Sequence, residues 1–191
     1  MKILTILGSP KKNGNTSKVL DIFEGNLKTQ GHEVEKIHIS DCNVNGCMEC
    51  WACTKALDEP GCIQKDDAIF IFKRMISSDA VVYASPLIGW DVSSQIKPLF
   101  DRHFCLVKGY GTQEQKSFIE NKPVSLLITC MGPLENNTDL VEAFFDRFGG
   151  YIKSNEVRKY VVPRSMAPDF PQRAEETAKK MSEDIISINT I

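Results

Sequence analysis

Five short apolar runs, each followed by a stretch of helical periodicity, constrain this chain more than any other feature. The runs fall at residues 2–7, 32–39, 79–84, 122–129 and 157–162. Those with Val81, Val82 and Tyr83, and with Val124, Leu126, Leu127 and Ile128, are apolar nearly throughout, as strands covered on both faces must be. Between them, Val19, Leu20, Ile22, Phe23 and Leu27 recur at helical spacing, and a second helix is expected to carry Ile69, Phe70, Phe72, Met75 and Ile76. A helix is expected over 93–103, another through Leu140, Val141, Phe144, Phe145 and Phe148 closed by Gly149-Gly150, and a last one after Pro168 and Pro171. Asp66-Asp67 is expected to cap the second helix, and Gly31 to end the first. Strict β/α alternation predicts an α/β fold, a three-layer α/β/α sandwich around a five-stranded parallel sheet in the order 2-1-3-4-5. One domain spans 1–191, with a cysteine-rich loop at 40–66 that has no periodicity.

In this topology ligands bind beyond the carboxyl ends of the strands, at the switch point. The loops at 9–17, 85–92 and 129–136 therefore converge on one pocket. The first of them, Gly8-Ser9-Pro10-Lys11-Lys12-Asn13-Gly14-Asn15-Thr16-Ser17, is a strand-to-helix turn with free backbone N–H groups and the positive end of a helix dipole. Ser9, Asn15, Thr16 and Ser17 add short donors, and Lys11 and Lys12 add charge. An anion, above all a phosphate, is stabilised there; a well-capped helix is the simpler alternative. The loop has neither the Gly-Lys-Ser/Thr ending of ATP-binding loops nor the paired glycines of dinucleotide turns.

Composition excludes other classes. With 23 basic and 25 acidic residues the formal charge is −2, so no basic excess points to nucleic acid or to a membrane surface. No apolar run approaches the roughly 18 residues of a spanning helix, and a strand begins directly after Met1, so a cytoplasmic protein is expected. Five of the seven cysteines lie between Cys42 and Cys62. In such a chain this points to metal or redox chemistry rather than to a disulfide framework.

Cys47, Cys50 and Cys53 are spaced to bring three thiolates round one small volume, with Cys62, separated from Cys53 by eight residues, as the natural fourth. Cys42 is a weaker substitute. Three occupants stay open: a [4Fe–4S] cluster, zinc, or none, with the thiols free or redox-active. Cys105 and Cys130 read as buried apolar fillers, and the polar segment around Lys108-Gly109-Tyr110-Gly111-Thr112 as a lid or a dimer contact.

The phosphate-type loop resembles that of the NADPH-dependent FMN reductase family, and more narrowly its iron–sulfur flavoprotein branch. The Cys47–Cys62 motif followed by Lys65-Asp66-Asp67, the segment Ser85-Pro86 with Val92-Ser93, Gln95-Ile96-Lys97 and Asp101-Arg102, and Gly132 after the fourth strand are similar to that branch in the same order, over about residues 1–150. The resemblance implies a flavodoxin-like fold, bound FMN, NAD(P)H as co-substrate, and a homodimer or tetramer. By position it implies FMN phosphate against Ser9, Lys11, Asn15, Thr16 and Ser17, and the flavin ring against Pro86, Leu87, Ile88, Gly89, Trp90, Thr129 and Gly132. Ile88 and Gly89 stand where the family commonly has an aromatic pair, and Trp90 takes over stacking. The implied activity is electron transfer from a nicotinamide to quinone, flavin, nitro, azo or iron–sulfur acceptors, with no catalytic side chain needed. Two alternatives are an electron carrier between protein partners and a cysteine-based redox sensor.

Overall fold

The structure is a computed structural model that describes residues 1–187. Its main sheet is built from β1 (Lys2–Leu7), β2 (Glu33–His38), β3 (Ala80–Pro86), β6 (Val124–Thr129) and β7 (Val157–Val162), all parallel, in the order β2-β1-β3-β6-β7. Counting only these strands, this is the expected 2-1-3-4-5. A separate two-stranded antiparallel hairpin, β4 (Val107–Lys108) with β5 (Lys116–Ser117), occupies the segment read as a lid or contact.

The helices α1 (Asn15–Thr29), α2 (Ala68–Ser77), α3 (Lys97–Arg102), α4 (Asp139–Tyr151) and α5 (Phe170–Ser187) cover both faces. One core joins Ile3, Val82 and Leu127 to α1 and α5; the other joins Leu4, Tyr83 and Leu126 to α2, α3 and α4. Alternate residues of each strand feed opposite cores, as the two-residue strand period requires. No helix among the described residues is long and apolar enough to cross a membrane.

Two local expectations are corrected, and the Asp66-Asp67 cap of α2 holds. Gly149 and Gly150 do not close α4, which continues to Tyr151. Gly149 lies so close to β7 that a Cβ there would come within 2.2 Å of Val157 Cγ2, so the glycine serves packing. The helix expected over 93–103 is regular only from Lys97 to Arg102. Ser93 is held out of it, its N–H donating to Ser85 Oγ at 2.9 Å and its hydroxyl to Gly8 O, while Pro98 in the first turn suits a helix start there. Asp67 caps α2 without its side chain; Asp66 Oδ1 accepts from Ala68 N–H at 3.2 Å instead. At the end of α1, Gly31 takes φ +81°, the left-handed conformation a helix terminator needs.

Candidate functional site

The carboxyl ends of β1, β3 and β6 lie side by side, and hydrogen bonds join their loops. Gly8 N–H donates to Ala84 O at 2.7 Å, Leu87 N–H to Thr129 O at 2.9 Å, and Asn15 Nδ2 to Ser165 O at 2.8 Å. The hydroxyls of Thr16 and Thr129 meet at 2.6 Å, both buried. Gly8 is closely enclosed: a Cβ there would lie 2.8 Å from Ile96 Cβ.

At the start of α1, Gly14 is the N-cap and offers no side chain to the first turn. The N–H groups of Asn15, Thr16 and Ser17 therefore face outward without intrahelical acceptors. Ser9 is buried, with its hydroxyl bonded to Lys11 N–H and O. Lys11 is exposed, while Lys12 pairs with Asp41 at 2.7 Å. Ser17 donates to Asp21 Oδ2 at 3.3 Å. His38 Nε2–H donates to Ser9 O at 2.7 Å, and Ser40 Oγ donates to the same carbonyl. These two were not foreseen; His38 ends β2 and Ser40 lies in the single 3-10 turn after it, so the β1–β2 pairing brings them here.

Beside this loop, Leu87, Gly89 and Trp90 face Cys130, Met131 and Gly132 across a hollow of about 250 Å³. Gly89 and Trp90 both have positive φ, +61° and +62°, and Ile88 and Asp91 pair across them, which makes a tight hairpin turn. Trp90 is 58% and Met131 75% exposed, large apolar side chains left at the rim. Pro86 ends β3 and Ile88 points to solvent. Thr129 reaches the phosphate-type loop, not the hollow.

Cys47, Cys50, Cys53 and Cys62 line one cavity of about 440 Å³. Cys105 lines it too, a placement the sequence did not suggest: it is buried, but it faces Cys53 and Cys62. Burial pushes the Cys53 and Cys105 thiols above the ordinary range, and for Cys105 the neighbouring cysteines add to that. Cys47 and Cys50 are exposed. Among the described residues no group of three or more potential ligands is close enough to hold a metal ion.

The cavity wall includes Arg102, whose side chain is 1% exposed and pairs with the fully buried carboxylate of Asp66. Burial alone would raise the Asp66 pKa, but Arg102 and the N–H groups of Asn45 and Ala68 hold it below its ordinary value. Lys108, on β4, sends its ammonium inward to Cys53 O at 2.8 Å and Pro60 O at 3.4 Å. Burial lowers its pKa. The hairpin thus ties down the cysteine loop.

A doubly wound parallel sheet with a hollow beside the first turn of α1 at its switch point defines a flavodoxin-like fold. The chain belongs to the NADPH-dependent FMN reductase family, whose model matches residues 1–168. It is 43% identical over 102 residues to an iron–sulfur flavoprotein of Archaeoglobus fulgidus, a match covering 53% of this chain and 45% of the relative. The chain thus spans about half the length of the curated relatives it matches. Its fold is similar to the FMN complex of an FMN-dependent NADH-azoreductase from Bacillus anthracis, with TM-score 0.71, 15% identity, and 96% and 98% of the two chains covered. It is also similar to an NAD(P)H:quinone oxidoreductase from Methanothermobacter marburgensis, with TM-score 0.75, 18% identity and 96% of each chain covered.

Proposed function

We propose that this chain binds FMN at the carboxyl edge of its sheet and acts as an NAD(P)H oxidoreductase, with quinones, free flavin, nitro or azo compounds, or a cluster at the cysteine cavity, as electron acceptors. The observation that carries this is the juxtaposition of the uncapped first turn of α1 with the apolar hollow beside Trp90 and Met131. The residues present fit the cofactor. N–H groups of Asn15, Thr16 and Ser17 suit a phosphate dianion, and Lys11 adds a free charge within reach of solvent. Trp90, Leu87 and Met131 would cover a planar ring held in the hollow and shield it from water. Among the described residues the N–H groups of Gly89 and Trp90 have no backbone acceptor, so they are free to stabilise negative charge at the hollow. Bound FMN supplies the capacity to accept a hydride and to release electrons one or two at a time.

The cysteine cavity supports a [4Fe–4S] occupant by its donor set: thiols from Cys47, Cys50, Cys53 and Cys62 around one space, with buried cations in or beside its wall. Leu140 is exposed on α4 beside a groove lined by Phe100, Phe144 and Phe148, which supports assembly as a homodimer or tetramer. The function is tested by anaerobic addition of NADPH to FMN-loaded protein. Bleaching of the flavin band followed by recovery with a quinone supports the reductase; a band that stays unbleached refutes it. Sedimentation tests the assembly.

A further inference from the structure

Arg102 makes an unusual set of contacts for a buried cation. Nη1 donates to Asp66 Oδ2 and to Asn45 O at 3.3 Å, and Nη2 donates to Cys62 Sγ at 3.2 Å. Its Nε–H is buried without an acceptor, in a side chain that lines the cysteine cavity. A guanidinium fork fixes direction as well as charge, so the Asp66 arm aims the other arm at the sulfur. Lys108 is 4% exposed and has carbonyl oxygens but no carboxylate within salt-bridge distance among the described residues. Two buried cations around the cavity are thus offset by one buried carboxylate, Asp66, and an anionic occupant completes the balance.

We propose that Arg102 is a positioning residue for Cys62, orienting its sulfur toward the cavity and, by an N–H···S bond, favouring the more reduced and more negative state of an iron–sulfur cluster bound there. The inference rests on the cluster reading of the cavity. Its physical basis is general: hydrogen bonds to ligand sulfurs raise a cluster's reduction potential. The rival is that Arg102 only ties α3 to the cysteine loop through Asp66, a role that leaves the potential untouched.

The test is anaerobic reconstitution of the full chain with ferrous iron and sulfide, followed by iron and labile-sulfide analysis and an EPR-monitored redox titration. The Asp66→Asn/Arg102→Gln double variant removes both charges and leaves a neutral amide pair. It is expected to take up iron, to show a more negative potential than the wild type, and to release iron faster to a chelator. Arg102→Lys keeps a charge beside Asp66 without a second arm for Cys62, and its potential should fall between the two. A wild-type chain that takes up no iron or sulfide overturns the cluster reading and this inference together. Wild-type uptake with an unchanged potential in the double variant overturns the role of Arg102 alone. Should the double variant fail to fold by circular dichroism, Arg102→Lys decides: a potential equal to wild type refutes the proposal.

Discussion

Asp66 and Arg102 form an ion pair with side-chain exposures of 0% and 1%, joining the cysteine loop to the end of α3. A buried charge left alone is far more costly than the pair is stabilising. Arg102→Ala is therefore expected to lower the unfolding free energy by about 3–5 kcal/mol, measured by urea denaturation. The Asp66→Asn/Arg102→Gln variant should lose clearly less.

His103 gives the chain a pH-dependent stability. Its Nδ1–H donates to Leu99 O and its Nε2 accepts from Tyr83 OH, both at 2.8 Å, within a cage of Phe72, Phe100 and Phe148. Burial holds its pKa down from 6.5 to about 4. Above pH ~6.5 the ring is neutral in both folded and unfolded chains and contributes no pH dependence. As pH falls from there to about 4, the unfolded chain takes up a proton that the folded chain refuses, so stability drops, by about 3 kcal/mol over the window. Melting temperature against pH should show this decline, and His103→Gln should flatten it.

Trp90 holds a left-handed conformation that costs a non-glycine residue about 1–2 kcal/mol. Backbone strain of this kind concentrates at ligand clamps and switch regions. Trp90→Gly is expected to leave thermal stability equal or higher, while raising the FMN Kd about tenfold, the loss of roughly one stacking contact. Fluorescence titration measures this, and Trp90→Phe should retain most of the affinity.

Lys11 is exposed and in no ion pair among the described residues, unlike Lys12 with Asp41. Lys11→Ala should weaken FMN two- to fivefold at low salt, an effect of about 0.5–1 kcal/mol that fades as salt rises. Riboflavin, which has no phosphate, should bind both proteins alike.

The sheet and its switch point were legible in the sequence because each depends on local pattern. Runs such as Val81–Tyr83 and Leu126–Ile128 are buried on both faces, and the alternation with helices leaves few topologies. The phosphate-type loop was legible for the same reason, as a contiguous turn. What escaped depends on partners distant in the chain. Asp66 reads as a helix cap, yet its other oxygen meets Arg102, 36 residues on. Lys108 belongs to the segment read as a lid or a dimer contact, but two carbonyls from the cysteine loop draw its ammonium inside. Cys105 was rightly expected to be buried, and nothing in its spacing tells that its wall faces other thiols. The β4–β5 hairpin, two residues per strand, is too short to carry a period. Ser93 looks helical until Gly8 O and Ser85 Oγ claim it.

The proposed flavin site is the single edge formed by Ser9–Ser17, Leu87–Trp90 and Cys130–Gly132. Anaerobic absorption titration of the apoprotein with FMN, followed by NADPH, tests it most directly. A saturable FMN spectrum at one equivalent per chain, bleached on addition of NADPH, is the predicted result. A protein that retains no FMN, or FMN whose spectrum and affinity are unchanged by Trp90→Gly and Lys11→Ala together, would contradict it.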